Sequence, residues 1–339
     1  MLHLGLIGCG AIARTHASNI VNKLKGAEIT GVYDLFPEAA EGIVAEFNLS
    51  AKIFDSSDAL IQSNEVDAVL VCSKYDAHVE PILSAIAALK PVFTEKPLAR
   101  TAEECLKIIE AEAKAGKRLV QAGFMRRFDP YFNDLKDIMD SGIIGEPLLG
   151  YCRSFTTKPA TDYFTDEMMI TDAYIHEIDD LHWLFNDDYE FVQVYFPKSN
   201  SLSPIQGLRD PQVAVVKMKN GAFITTYITQ NANYGYEVTC QIIGEKGIAE
   251  LPDRPTTNMR VDGKIYRKID MDWSNRFNEA YENEIQAFID QVSKQEPLIG
   301  PSAWDGYIAS VVSDSAVQSQ KTQRSVQITL AGKPALYEK

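Results

Sequence analysis

The sequence predicts an α/β protein of two domains: an N-terminal doubly wound parallel sheet, then an α+β domain built on a large, mostly antiparallel open sheet. Three features carry this. Up to about residue 125, short apolar runs alternate with amphipathic stretches. A glycine turn, Gly8-x-Gly10-x-x-Ala13, separates the first run from the first helical pattern. Beyond about Gly145, β-rich runs follow one another with few helices between them. A chain of 339 residues is too long for one small core, because single cores stop growing beyond roughly 250–300 residues. The boundary falls after residue 123, giving domains 1–123 and 124–339, with the final helices free to pack back on the first.

In the first domain Leu4, Leu6 and Ile7 read as a buried strand, and a helical pattern opens through Ile12, His16 and Ile20. Strand, glycine turn and helix in this order make the Rossmann arrangement for a dinucleotide. Gly8 permits the tight turn, Gly10 lets the main chain approach a pyrophosphate, and Ala13 keeps the helix against the sheet. The helix N-terminus, with Ala11 and Ile12, turns N–H groups toward the phosphates. A second strand at 29–33 ends in Asp34, roughly 20 residues on, where a carboxylate takes the adenosine ribose hydroxyls. Asp34 and the uncharged Leu35 after it disfavour a 2′-phosphate, so NAD is expected rather than NADP. Asp34 as N-cap of a helix starting near Pro37 is the plainer role, and the two are compatible.

Residues 38–47 read as a helix, 51–54 as a brief strand, and another helix begins at Ser57. Residues 67–72 read as a central parallel strand, with Ala68 to Cys72 apolar on both faces. Helix 78–89, strand 91–94, helix 101–115 and strand 118–122 follow, with Thr101 and Glu104 spaced as a capping box. Ligands of such sheets bind beyond the carboxyl ends of the strands, so the loops after Cys72, Thr94 and Gly123 meet at the cofactor. Ser73, His78, Glu95 and Lys96 therefore join Gly8, Gly10, Ala11, Ile12 and Asp34 as expected cofactor contacts. In the second domain, strands are expected at 147–155, 191–196, 212–218, 222–230, 236–243 and 258–269, with one helix, 171–185, among them. Two helices close the chain. Phe277, Tyr281, Ile285, Phe288 and Ile289 share a face of one, and Ile308, Val311, Val312 and Ser315 a face of the other.

A formal net charge of −14 argues against nucleic acid or an anionic membrane as partner, since both require a basic face. No apolar run approaches the roughly 18 residues of a membrane span. The chain opens directly into a strand, without a signal peptide's basic region and cleavage site. Its five cysteines (Cys9, Cys72, Cys105, Cys152, Cys240) are scattered and never in C-x-x-C spacing, which points to neither a disulfide framework nor a zinc site. A cytoplasmic protein without a metal is the expectation.

Two constellations could do chemistry. Lys96, in Thr94-Glu95-Lys96-Pro97, stands at the carboxyl end of a strand where a nicotinamide would arrive. Its ammonium can donate to a substrate hydroxyl and stabilise an alkoxide, and Pro97 holds it extended. An exposed lysine at a loop entrance is the plain alternative. Asp172 and His176 lie four apart on the expected helix and so share a face. A carboxylate behind an imidazole sets its tautomer and suits it to general-base work, which a dehydrogenase needs because hydride leaves a carbinol carbon only as the hydroxyl proton goes. A capping aspartate beside a helix-face histidine explains the pair equally. A metal cluster of Asp172, His176 and Asp180 is conceivable, though His182 is expected to pack near Trp183.

Together these motifs resemble the glucose–fructose oxidoreductase / inositol dehydrogenase family over the full length, and more narrowly the bacterial inositol 2-dehydrogenases. The strings that carry the narrower resemblance are Gly123-Phe124-Met125-Arg126-Arg127-Phe128-Asp129, His176-Glu177-Ile178-Asp179-x-Leu181-His182-Trp183-Leu184, Asn186-Asp187-Asp188-Tyr189-Glu190, Tyr234-Gly235-Tyr236 and Ala303-Trp304-Asp305-Gly306-Tyr307-Ile308-Ala309. The resemblance implies NAD-dependent oxidation of a cyclic polyol, myo- or scyllo-inositol type, with Lys96, Asp172 and His176 in the active site and Arg127 and Tyr236 near the polyol. It also implies a homotetramer assembled through the second domain's open sheets. Without it, Arg127 reads as a brace paired with Asp129 or Asp134, and Tyr236 as a strand aromatic. The walls depart from the pattern. Phe155-Thr156-Thr157-Lys158 stands where myo-inositol enzymes of this group carry a His-Arg-Asn-Pro stretch, which makes Phe155 and Thr157 substrate-wall positions. Lys74-Tyr75 replaces the usual Trp-Gly pair. A different inositol stereoisomer, a pyranose sugar oxidised with NAD(P), and a non-catalytic nucleotide-sensing regulator are the other readings.

Overall fold

The computed structural model describes residues 1–252 and 257–338. They divide into two compact units, the first comprising residues 1–128, 279–310 and those from 330 onward, the second 129–278 and 311–329.

Six strands make one parallel sheet in the first unit: β1 (Leu2–Ile7), β2 (Ala27–Tyr33), β3 (Lys52–Ile53), β4 (Ala68–Val71), β5 (Val92–Glu95) and β6 (Val120–Gly123). Their order is β3-β2-β1-β4-β5-β6, so the direction of winding reverses between β1 and β4, and ligands of this fold bind at the carboxyl ends there. The connections are α1 (Ala11–Asn22), α2 (Pro37–Glu46), α3 (Ser57–Gln62), α4 (Val79–Ala87) and α5 (Ala102–Ala115). β4 is buried along its whole length, as its apolar residues Ala68 to Val71 require. Thr101 caps α5 by accepting from Glu104 N at 3.2 Å, while Glu104 reaches back to accept from Arg100 N at 3.1 Å, one residue outside the expected box.

The second unit opens with α6 (Pro130–Ser141), a segment the sequence reading leaves unassigned. Asp129 caps it, its Oδ2 accepting from Phe132 N at 3.2 Å, and Pro130 occupies the first turn. A seven-stranded sheet follows from β7 (Pro147–Phe155), β8 (Tyr189–Tyr195), β9 (Gln212–Met218), β10 (Phe223–Thr229), β11 (Glu237–Gly244) and β12 (Ile248–Glu250), ordered β12-β11-β7-β10-β9-β8 and edged by a short closing strand. The sheet is mixed rather than purely antiparallel, because β7 and β10 pair parallel. The single run expected at 258–269 is a hairpin, β13 (Asn258–Val261) and β14 (Lys264–Arg267). Its turn residues Asp262 and Gly263 have φ of 52° and 71°, the two-residue type I′ geometry that suits right-twisted strands.

The helix expected at 171–185 is in two parts. Met169–Tyr174 winds as a π-helical turn, and only then does α7 (Ile175–Phe185) begin. α8 (Ser274–Lys294) and α9 (Ala303–Thr322) follow, and β15 (Val326–Gln327) is the strand that edges the sheet. Residues 279–310 join the first unit, and the reason lies in α8: Ile285, Phe288 and Ile289 of its apolar face, with Leu298, belong to the same core as Leu4, Ala13, Ile29 and Phe93. Among the described residues, no helix is long and apolar enough to cross a membrane.

Candidate functional site

At the glycine turn the backbone itself dictates the residue. Gly8 has φ +87°, and a Cβ there would lie 2.4 Å from Ser73 N, so only glycine lets the β4 loop come this close. Gly10 differs: a Cβ would meet nothing within 4 Å. Its glycine is not needed for packing, and the open side suits a pyrophosphate approaching the main chain. Gly10 is also the N-cap of α1 and supplies no side-chain acceptor, so the first-turn N–H groups, those of Ala11 and Ile12 among them, point out of the helix end.

Asp34 is not a helix cap. The cap position of α2 is Phe36, with no side-chain bond. Asp34 instead accepts from Cys9 N (2.7 Å, Oδ2) and Phe36 N (2.9 Å, Oδ1), which locks the carboxylate beside the glycine turn at the end of β2. Burial and this carboxylate push the Cys9 thiol up to about 12, so it stays protonated and inert. Leu35 beyond it is 76% exposed, with no charge to offset a second anion. These residues fit NAD.

Ser73, His78, Glu95 and Lys96 all lie at the carboxyl ends of β4 and β5 in the same unit. The His78 ring is buried, with Nδ1 2.9 Å from Pro97 O and Nε2 2.9 Å from Ser73 O. Both carbonyls only accept, which favours a doubly protonated ring, whereas burial lowers the His78 pKa and is the larger effect. The neutral ring therefore donates to one carbonyl at a time. It braces the loop and turns neither nitrogen outward. Glu95 is 7% exposed, its Oε1 2.7 Å from Nε2 of His16. The Lys96–Pro97 peptide bond is cis. Arg127 belongs to the first unit and pairs with Asp305 (3.0 Å). Asp129 is held bidentately by Arg276, at 2.5 and 2.8 Å.

In the second unit, Phe155 ends β7 opposite Glu237 of β11 and Thr229 of β10. Thr157 Oγ1 donates to Met271 O (2.6 Å), and Tyr236 N donates to Asp270 O (2.7 Å). Phe155, Thr157 and Tyr236 are thus brought to one end of the sheet. Tyr236 stands edge-on to Phe277 (6.4 Å) and lines a cavity of about 460 Å³ together with Glu237, Arg267, Asp270 and Arg276. Burial and Glu237 push the neighbouring Tyr234 phenol up to about 12.

Asp172 lies within the π-turn and His176 in the first turn of α7, both half-buried. The α-helical i, i+4 argument therefore does not describe them, since the winding changes between the two. Such turns occur frequently at functional sites, and nothing in the local sequence announces this one. His182 stacks on Tyr189 (6.3 Å) and faces Asp188 (3.4 Å). The His182 hydrogen bond is the main reason the Asp188 carboxyl sits well below the usual range. Among the described residues no cluster of three or more His, Cys, Asp or Glu could hold a metal ion. His16 is the residue that sequence reading passes over, since a histidine in a helical pattern carries no sign of a partner in β5.

Two family models match the chain. "Oxidoreductase family, NAD-binding Rossmann fold" covers residues 2–124, and "Oxidoreductase family, C-terminal alpha/beta domain" covers 136–328. An inositol 2-dehydrogenase/D-chiro-inositol 3-dehydrogenase of Shouchella clausii is 43% identical over 99% of this chain and 97% of its own. An inositol 2-dehydrogenase of Serratia proteamaculans is 45% identical over 100% and 99%. The crystal structure of myo-inositol dehydrogenase from Lactobacillus casei, in complex with NAD(H) and myo-inositol, superposes with a TM-score of 0.97 at 41% identity and covers 100% of both chains.

The two glycines separate stability from binding. Gly8→Ala places a Cβ against Ser73 N and should cost about 2 kcal/mol or more and weaken NAD binding. Gly10→Ala, at a helix N-cap with φ −74°, should cost less, about 1 kcal/mol, while still weakening NAD. Thermal unfolding and NADH fluorescence titration read the two effects, and a Gly10→Ala variant that loses stability but keeps NAD affinity contradicts the assignment.

Proposed function

This chain belongs to the glucose–fructose oxidoreductase / inositol dehydrogenase family of oxidoreductases, and from that premise we propose that it oxidises a ring hydroxyl of an inositol to the ketone with NAD. The observation that carries the reading is full-length identity above 40% to enzymes named for inositol oxidation. The glycine turn and the Asp34 carboxylate support the cofactor half of it.

Gly8, Gly10 and the first turn of α1 hold the pyrophosphate, and Asp34 holds the adenosine ribose. NAD, when bound, accepts the hydride from the carbinol carbon. Lys96 donates to the reacting hydroxyl and stabilises the negative charge that grows on its oxygen. His176 takes the hydroxyl proton, and Asp172 orients the imidazole and favours the imidazolium that forms. Arg127, Thr157 and Tyr236 are assigned to the substrate's polar walls. Phe155 cannot hydrogen-bond, and a polar group left unpaired in a desolvated site costs about 1–3 kcal/mol. The accepted inositol is then a stereoisomer that turns a C–H edge, not a hydroxyl, toward that ring.

The outward face of the large sheet supports a homotetramer. Leu149 and Phe223 are opposite neighbours on β7 and β10, and both, with Tyr195, Tyr227 and Ile248, are exposed. A contiguous apolar patch of this kind marks a protein interface. All five cysteines are free thiols, which suits the reducing cytoplasm.

A panel of inositol isomers and aldoses, followed by NADH absorbance, tests the substrate. The expected outcome is that one or more inositols exceed every aldose in kcat/KM, with NAD preferred to NADP about tenfold or more. A pyranose as best substrate rejects the inositol reading, and equal use of NADP rejects the role of Asp34. Lys96→Ala and His176→Ala should each lower kcat by about 10²–10⁴, and His176→Ala should remove the acidic limb of the kcat/KM profile. For assembly, light scattering should find a tetramer that Leu149→Glu with Phe223→Glu splits into smaller species; a monomeric wild type excludes it.

A further inference from the structure

α1 directs a polar group into the core as well as N–H groups toward the dinucleotide. His16, in the second turn of α1, is fully buried, and its Nε2 lies 2.7 Å from Oε1 of Glu95, the last residue of β5 and the neighbour of Lys96. The ring is fixed between the edges of Phe93 (5.5 Å, 80°) and Tyr281 (5.8 Å, 67°). Its Nδ1 has no hydrogen-bond partner, so the link to Glu95 is the one directional contact the ring makes. Gly123 at the end of β6 leaves space for this carboxylate. A Cβ at Gly123 would lie 3.2 Å from both Glu95 Oε2 and Glu95 Cα.

We propose that His16 is a positioning residue for Lys96: it holds the Glu95 carboxylate, and so fixes the strand end from which the lysine departs. This rests on the catalytic reading of Lys96 given above. Glu95 is almost wholly withdrawn from water, so a carboxylate that loses His16 is left without that partner where it stands and must move to find another. On the other side of Lys96, the Pro97 carbonyl lies 2.9 Å from Nδ1 of His78. The lysine is therefore flanked on both sides by residues set against buried histidines. The helix that carries His16 also begins at Gly10, so one rigid element relates the cofactor's phosphates to the lysine.

Three substitutions in the full chain test this. Glutamine carries an N–H to about the position of Nε2, leucine fills the space without a donor, and the amide of asparagine falls short. His16→Leu and His16→Asn should lower kcat about tenfold or more, as loss of a supporting hydrogen bond or a displacement near 1 Å does elsewhere. The NADH dissociation constant should stay within about twofold in both, and His16→Gln should recover most of the lost kcat. In a Lys96→Ala background, His16→Leu should change the residual kcat less than about twofold, since groups acting through one another do not add. Full kcat in the leucine and asparagine variants, equal losses in leucine and glutamine, or an undiminished further loss on top of Lys96→Ala overturns the proposal. If His16→Leu does not fold, asparagine against glutamine makes the same comparison. Undiminished kcat in Lys96→Ala overturns the catalytic reading and this proposal together; a large loss there with His16 variants at full kcat overturns the proposal alone.

Discussion

The first unit depends on one close approach, that of the β4 loop to the glycine turn. Gly8 can bring its backbone against Ser73 only because it has no Cβ and tolerates φ +87°. Once Ser73 is held there, its carbonyl seats the His78 ring, whose other nitrogen meets Pro97 O. Pro97 follows Lys96, Lys96 follows Glu95, and Glu95 returns through His16 to α1, which starts at Gly10. The contacts close on themselves within one unit. A lysine at a strand end, which could be any solvent-facing cation, is thereby tied to the turn that suits the dinucleotide.

The second unit works from a different constraint. β7 pairs with β10 from Leu149 to Phe155 and with β11 on its other side, so Phe155 cannot shift without breaking two ladders. The residues after it are held as firmly: Thr156 N donates to Thr229 O (2.9 Å), and Ala232 N donates to Thr156 O (2.8 Å). The two positions proposed for the substrate's wall, Phe155 and Thr157, therefore sit on or beside backbone that the sheet holds in place. A side chain altered there can change without the backbone that carries it being displaced.

What could be read from the sequence was what depends on neighbours in the chain. The strands of the parallel sheet announce themselves because both faces are buried, and the glycine turn because its spacing is chemical. Local signals were also overlooked: Asp129-Pro130 is a cap followed by a first-turn proline, and Asp262-Gly263 is a hairpin turn. Other features had no local signal. Arg127 finds its carboxylate 178 residues away and His16 finds Glu95 79 residues away. A π-turn before His176 leaves the residue pattern of an α-helix unchanged over so short a span. The unit boundary at 278/279 depends on which core claims the apolar face of α8, and a face does not name its partner.

A histidine and a glutamate in the core of the first unit call for a physical reason, because stability does not supply one. Replacing both partners of a buried hydrogen bond with apolar groups of the same shape can be nearly neutral or stabilising, whereas removing one and leaving the other unsatisfied costs about 1–3 kcal/mol. Phe93 packs edge-on to Phe288 (6.1 Å) beside the pair, so apolar packing is already available at this place. What a hydrogen bond adds is direction. Dispersion holds a side chain near its neighbours but is indifferent to small slides, while a 2.7 Å contact between an imidazole and a carboxylate weakens steeply when bent or stretched. A core that needed only to be filled would not require that; a strand end that must aim the next residue does.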